Sequence, residues 1–557
     1  MGDGDKQPKR KRGEDATSLD RRTFLLGAGA AAALATGAGL AAPRAAGAAI
    51  TGATPRVARR AYRKRRRAAL AYRVQSARMA LGRNAPLLVP TNNGEERSYP
   101  YVACYSKALP HDALGHVNQA AYDGLLDAVA TADPILFESI PLGGTRKLTS
   151  PQAGLAFDLE GPDSHAIILR PAPRIDGAEN AAEMAELYWM ALARDVPFET
   201  YAIDQTIGLA CNDLSNFSDF RGPKSGGRVT PATIFRGNTP GDVAGPFVSQ
   251  FLVRDFRYGS LTVSHRQQTV LPGIDYLTDF ASWLAIQNGG AAGPDAFDPT
   301  PRYIRSLRDL GRYVHVDALY EAYLNACLIL LELGAPLDAG LPPATSTTQA
   351  GFAEFGGPHI LSLVTEVATR ALKAAWCQKW LVHRRLRPEE FGGRVHNLLT
   401  GAATYAIHSE LLASTSLARV FSRYGTFLLP QQFPDACPTH PAYPGGHASV
   451  AGACVTVLKA FFDESFVLPN AVVPTADGTT LVPYGDAALT VGGELDKVAA
   501  NIATGRNAAG IHWRTDFSEG LALGELVAIG VLEEQKACYN QDVRMTFRRF
   551  DGSSVTI

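Results

Sequence analysis

Apolar residues recur at helical spacing along most of this chain. Between residues 180 and 194, Ala182, Met184, Leu187, Tyr188, Met190 and Ala191 follow a 3.6-residue period, and the same period runs through 314–333, 359–383, 400–424, 449–462 and 517–535. Each of these segments is read as a helix. Period-two alternation is scarce, so the fold class is mainly α. The Gly/Pro-rich stretches 219–246, 287–301 and 335–357 read as loops, and the last marks a boundary near residue 350 between two packed helical bundles, 91–350 and 351–557. No repeat of solenoid period is evident.

The first 48 residues read as an address and not as part of this fold. Lys6 and Lys9 through Arg12 are basic, Arg21-Arg22 are paired arginines, an Ala/Gly run reaches Ala42, and Ala46-Gly47-Ala48 has the small-residue pattern of a cleavage site. This pattern is that of a twin-arginine signal, which predicts Tat-type export to a periplasmic or secreted location. A single membrane anchor is the alternative, but the run is Ala/Gly-rich and ends at Pro43-Arg44. Nothing after residue 48 is apolar for 18 consecutive positions, so no membrane segment is expected once the signal is removed. Residues 49–90 form a basic arm: 55–83 hold eleven Lys/Arg, among them Arg63-Lys64-Arg65-Arg66-Arg67, at helix-compatible spacing. It reads as a solvated helix or a subunit-packing arm, with an anionic partner as the other reading.

Composition narrows the function classes. With 557 residues, 46% of them hydrophobic and 19% charged, and with 54 Lys plus Arg against 54 Asp plus Glu, the chain has the make-up of a globular enzyme of two or three packed units. A chain disordered throughout and a strongly basic nucleic-acid binder are both disfavoured. The seven cysteines include no CxxC pair and no Cys/His cluster, so a structural zinc site, an iron–sulfur cluster and a c-type haem attachment lack their ligand spacing. An odd count leaves at least one thiol outside any intramolecular disulfide, although Cys437 and Cys454 are chemically allowed to pair after export.

Candidate chemistry gathers in three segments of the second half. In Trp376-Cys377-Gln378-Lys379 through Arg387-Pro388, the proline predicts a helix end near Leu386, with Lys379 on an inner turn and Arg387 on the exit strand. Trp376, Lys379 and His383 would then share a stripe. In His440-Pro441-Ala442-Tyr443-Pro444-Gly445-Gly446-His447, two glycines precede a helix start, exposing backbone N–H groups to an oxyanion. An ordinary Pro-Gly turn with a capping histidine is the plainer reading of that segment alone. In Gly505-Arg506 through His512-Trp513-Arg514-Thr515-Asp516, Arg506 and His512 flank a glycine turn, and Asp516 lies one helical turn beyond His512, at the spacing that orients an imidazole. Three cations, free N–H groups and two histidines together suit a tetrahedral oxyanion. His383 and His408 read as core histidines on apolar helices.

These segments resemble the vanadium-dependent haloperoxidases, whose active-site architecture is shared with acid phosphatases of the same superfamily, and in particular the algal-type bromoperoxidases. Asn92-Asn93-Gly94-Glu95-Glu96, Phe157-Asp158-Leu159-Glu160-Gly161-Pro162-Asp163, Ala182 through Leu192, and Arg308-Asp309-Leu310 with Val314-His315-Val316-Asp317 carry the likeness, which spans roughly residues 90–540. The resemblance implies a helical-bundle haloperoxidase fold and a vanadate cofactor held at V(V). His512 would bind vanadium, Lys379, Arg387 and Arg506 would neutralise the vanadate oxygens, and the Gly446 N–H would add a hydrogen bond. His447 would be the acid–base residue, with His440 and Trp376 flanking the cofactor and halide pocket. The implied partners are hydrogen peroxide, a halide such as bromide or iodide, an organic halogen acceptor and further copies of the chain. The family usually has Ser where Gly445 stands, so one hydroxyl donor to the cofactor is missing. A phosphatase using His512 as nucleophile, and a diverged member that makes no productive use of vanadate, are the rival readings.

Overall fold

The computed structural model describes residues 56–82, 92–99 and 101–557. The segment read as a twin-arginine signal, with the rest of residues 1–55, lies outside the described residues. Residues Ala69–Ile557 form one compact unit. The fold is mainly α. Its longer helices are α1 Arg56–Gly82, α2 Gln119–Thr131, α3 Ala178–Leu192, α4 Gln205–Leu214, α5 Phe280–Gln287, α6 Leu307–Tyr313, α7 Glu321–Glu332, α8 Gly357–Trp376, α9 Pro388–Leu399, α10 Thr415–Tyr424, α11 Gly446–Phe461, α12 Val491–Ala508 and α13 Arg514–Lys536. Strands among the described residues are confined to three antiparallel pairs, Phe256–Tyr258 with Leu261–Val263, Val472–Pro474 with Leu481–Pro483, and Thr546–Arg548 with Ser554–Thr556. No helix of the described residues is long and apolar enough to cross a membrane.

Helix α11 lies at the centre, packed against α8, α12 and α13. Its sequence, GHASVAGACVTVLKAF, is made of small residues, and fifteen of its sixteen positions are buried. Glycines set how closely α13 approaches. A Cβ on Gly524 would lie 1.9 Å from Ser449 O, one on Gly452 would lie 2.2 Å from Leu521 O, and one on Gly520 would lie 2.6 Å from the Ala448 Cβ. The two backbones therefore touch, with no room for a methyl group between them.

Two helices expected from periodicity are broken. The 314–333 segment ends α6 at Tyr313 and resumes only at Glu321, because the Val314 carbonyl accepts from Arg506 (2.6 Å) and the Glu321 carboxylate accepts the Ala318 N–H (3.0 Å). In 400–424, Gly401 is left-handed at φ 76°, and the chain starts afresh at two caps. His408 accepts the Glu410 N–H at 3.3 Å, and Ser414 accepts the Ser416 N–H at 3.2 Å. His408 is thus a partly exposed cap and not a core residue. Helix α12 went unread for the opposite reason. It buries Glu494, Asp496, Lys497 and Asn501, which break its apolar stripe, but Lys497 pairs with Glu494 at 2.6 Å and Asp496 with Lys459 at 2.9 Å. All seven cysteines are free, and Cys437 and Cys454 have different neighbours: the Cys437 thiol faces Gly510 O and Ile511 O, the Cys454 thiol Val364 O.

The α11–α13 contact predicts a strong asymmetry between two glycine replacements. Gly524→Ala should destabilise the protein by about 1–3 kcal/mol or more, since the new methyl must push two backbones apart. Gly208→Ala in α4, where nothing lies within 4 Å, should stabilise it by up to about 1 kcal/mol through helix propensity. Denaturant unfolding of both variants checks this, and equal effects would contradict backbone contact.

Candidate active site

Four chain segments meet at the head of α11. The first is the junction of α8 and α9. Past Trp376 the helix widens into a π turn over Cys377–His383, Arg384 turns left-handed (φ 40°), and Arg387 is extended before Pro388, which opens α9. The helical path thus stops three residues short of Leu386. The widened turn breaks the expected stripe, and His383 packs instead against the edge of Tyr443, 4.7 Å between centroids, with neither ring nitrogen hydrogen-bonded. Lys379, wholly buried, donates to Pro441 O (2.8 Å) and Ala442 O (2.7 Å). Its Nζ lies 5.9 Å from the centre of the Trp376 ring, which in turn is tilted against His440 at 4.7 Å.

Arg387, also wholly buried, stands between two histidines. Its Nε donates to His440 O (2.9 Å), Nη2 to His440 Nδ1 (2.9 Å), and Nη1 to Ile511 O (3.0 Å) and His512 Nε2 (3.0 Å). On the far side of its ring His512 Nδ1 meets Asp516 Oδ2 at 2.7 Å. A carboxylate on Nδ1 and a guanidinium on Nε2 define one tautomer: the proton is on Nδ1, and the Nε2 lone pair faces the cations. Asp516 is itself held by the Trp513 N–H (3.1 Å) and by Arg385 Nη1 (3.1 Å), and Arg385 also donates to Glu183 (2.8 Å) and Asn180 (3.0 Å) on α3. Arg506, on the last turn of α12, gives one Nη to Val314 O, while its buried Nε has no acceptor.

The glycine turn completes the cluster. Gly445 has φ −66°, an ordinary backbone conformation, and its N–H donates to Asp516 O at 2.8 Å. It is therefore no donor to a ligand, which corrects the expectation that both glycines offer one. The Gly446 N–H has no protein acceptor among the described residues and lies at the positive end of α11. His447 follows, its Nε2 3.1 Å from Asp317 Oδ1. At 18% exposure it is more open than Trp376, Lys379, Arg387, His440, Arg506 or His512, so solvent reaches the cluster on its side. All ten residues expected at the site belong to this one neighbourhood. Asp317, Arg385 and Glu183 were not foreseen. The Val314–Asp317 motif was visible, but reading it as helix hid the loop that turns Asp317 towards His447.

Electrostatics define what can bind here. Burial lowers the Lys379 pKa well below the usual lysine value, and Arg387 and Arg506 lower it further. Burial likewise brings Arg506 down to about 10. His512 and His440 are held far below the imidazole range by burial first and then by the same cations. His447 is lowered by burial, with Asp317 opposing. The cluster has spare donors on Arg506 Nε, the Gly446 N–H and the third Lys379 hydrogen, and its carboxylates are already engaged. A tetrahedral oxyanion brings the charge and acceptors it lacks. A multi-ligand cation does not fit, since no group of three His, Cys, Asp or Glu among the described residues could hold one.

Known proteins resemble this chain over most of its length. Residues 359–541 match the VCPO second helical-bundle domain. Vanadium-dependent bromoperoxidases of Corallina pilulifera and Corallina officinalis are each 36% identical to this chain, over 88% of it and 98% of their own length. That of Ascophyllum nodosum is 36% identical over 88% of this chain and 92% of its own. The homohexameric structure of the second vanadate-dependent bromoperoxidase (AnII) from Ascophyllum nodosum superposes with a TM-score of 0.86 at 30% identity, covering 94% of this chain and 95% of that one. The chain belongs to the vanadium-dependent bromoperoxidase family.

His383 gives a pH test that leaves the oxyanion cluster untouched. Burial lowers its pKa to about 3, against about 6.5 for an unfolded histidine. Between those values the unfolded chain binds the extra proton, so this group's contribution to stability is full above about pH 6.5 and is lost as pH falls towards 3. His383→Leu should therefore make the acid side of the stability profile shallower by up to one proton. A profile parallel to wild type would contradict a buried neutral imidazole.

Proposed function

We infer that the protein is a vanadium-dependent bromoperoxidase, which uses hydrogen peroxide to oxidise bromide or iodide to hypohalous acid and so halogenates organic acceptors. The observation that carries this reading is the buried cation cluster around the His512 Nε2 lone pair, in a chain that shares its fold with bromoperoxidases over nearly its whole length. Bound vanadate supplies a Lewis acid that polarises peroxide towards halide attack without changing its own oxidation state.

The chain's own residues provide the rest. His512 offers Nε2 as the vanadium ligand, and Asp516 keeps the other nitrogen protonated and the ring fixed. Arg387 leaves Nε2 to serve the oxyanion together with Lys379, Arg506 and the Gly446 N–H. His447, neutral through burial and aligned by Asp317, takes a proton from hydrogen peroxide, and its partial exposure gives peroxide its path. Trp376 and His440 close the inner wall and exclude water. Export by a Tat-type route to the periplasm or medium is the reading of residues 1–48, and a homo-oligomer is that of the likeness to homohexameric AnII.

Exported protein reconstituted with orthovanadate should oxidise bromide and iodide with peroxide, and phosphate should inhibit by competing for the same donors. Hydrolysis of phosphate esters without halide oxidation would establish the phosphatase reading instead. His512→Ala should abolish vanadium retention. His447→Ala should retain vanadium and slow bromide oxidation by about 10²–10⁴-fold, the usual cost of a lost acid–base group. Equal vanadium content in the two variants would contradict these roles.

Gly445→Ser tests the missing hydroxyl. At φ −66° a serine carries no left-handed strain, but its Cβ would lie 3.0 Å from Asp516 O, so that carbonyl must yield by a few tenths of an ångström. The expected outcome of a vanadate titration is tighter binding by up to about 1.5–3 kcal/mol. Weaker binding would mean that the added Cβ displaces Asp516 from His512.

A further inference from the structure

Asp317 reaches His447 from a segment that is neither helix nor strand. Helix α6 ends at Tyr313 and α7 begins at Glu321, and between them Val316 is 64% exposed while the Asp317 side chain is only 7% exposed. The backbone must therefore hold one side chain out and the next one in. Among the described residues no side chain but that of His447 hydrogen-bonds the Asp317 carboxylate, at 3.1 Å. Its aim comes from the loop itself.

Three anchors fix that loop. At its start Arg506 Nη1 donates to Val314 O at 2.6 Å. Next, the His315 ring lies flat on Phe433, 3.6 Å between centroids and 7° between planes, with Nε2 3.3 Å from Asp435 Oδ1. At its end Glu321 makes two contacts with the residue after Asp317: its carboxylate accepts the Ala318 N–H at 3.0 Å, and its own N–H donates to Ala318 O at 2.5 Å. The first two anchors precede Asp317 in the chain, so the side that follows it depends on Glu321. A carboxylate suits this place, because the first position of α7 lies at the positive end of a helix.

The charges around His447 make its basicity a gauge of that aim. Burial lowers the His447 pKa, Asp317 opposes the shift, and Arg506 from α12 and Lys379 from the turn after α8 add to it. Asp317 is the anion in this set, so a drift of its carboxylate would lower the imidazole further. Glu321 itself faces Asp317 and Tyr313; burial raises its pKa against the pull of the Ala318 N–H, and Asp317 raises it further.

We propose that Glu321 is a positioning residue for the acid–base step: by clamping Ala318 it aims Asp317 at His447, as Arg506 does from the other end of the loop. Its consequence for catalysis rests on the peroxidase reading above, and its effect on His447 rests on the geometry alone.

Two readouts test this, and Glu321 is only half-buried, so the changes spare the core. NMR titration of histidine-labelled, vanadium-free protein, with His447→Ala to assign the signal, gives the His447 pKa. Asp317→Asn should lower it by about 1 or more, the usual effect of losing a close opposite charge, and Glu321→Ala by about half as much or more. Glu321→Gln, which removes the charge but keeps an oxygen for the Ala318 N–H, should leave it as in wild type. In vanadate-loaded protein of equal vanadium content, Glu321→Ala should move the acid limb of kcat/KM for hydrogen peroxide to lower pH, because the neutral imidazole persists further into acid. Its plateau should fall by up to about 10²-fold through misalignment, and Glu321→Gln should restore both. A wild-type His447 pKa and pH profile in Glu321→Ala would overturn the proposal. Equal effects of the Ala and Gln variants would also overturn it, by assigning the shift to charge acting at a distance. Protein that binds vanadate but oxidises no halide would refute the peroxidase reading, while the NMR titration would still decide the role of Glu321.

Discussion

Everything at the site depends on how closely α11 approaches α13. Gly452, Gly520 and Gly524 let the two backbones touch, and that contact brings Gly445 to Asp516, so that the first turn of one helix is hydrogen-bonded to the first turn of the other. Two positive helix ends and the residues just before them are thereby locked side by side. His447 comes with one and His512 with the other. A methyl group between the helices would move an imidazole as surely as a change at the imidazole itself.

Around that contact the protein concentrates charge that it does not neutralise. Burying Lys379, Arg387 and Arg506 together is costly, and burial first, then the neighbouring guanidinium of Arg387, lowers the pKa of Lys379 and Arg506. The carboxylates nearby are used for orientation: Asp516 fixes His512, Asp317 fixes His447, and Glu183 fixes Arg385 behind Asp516. The excess positive field is left for a ligand. Such donors would accept either of two tetrahedral oxyanions, vanadate or phosphate, so assignment between them needs the wider likeness as well as the site.

Much of this was legible in the sequence. The helices at 180–194, 359–383, 449–462 and 517–535 appear close to where periodicity puts them, because each buries a continuous apolar face. The spacing of His512 and Asp516, the proline after Arg387 and the glycines before His447 each state a local geometry that chain physics enforces. What was hidden required tertiary partners. Arg506 and Glu321 break the expected 314–333 helix, the ion pairs of Glu494 and Asp496 disguise α12, and Arg385 reads as one more charge in a basic run until Glu183 and Asp516 are seen on either side of it.

The central claim is that this cluster is a vanadate receptor with one protein ligand. Anomalous scattering from crystals of the protein soaked in orthovanadate tests it most directly. A single vanadium peak should appear within bonding distance of His512 Nε2, enclosed by Lys379, Arg387, Arg506 and the Gly446 N–H. Vanadium bound at the surface, or held in the cluster without a bond to His512, would contradict the account.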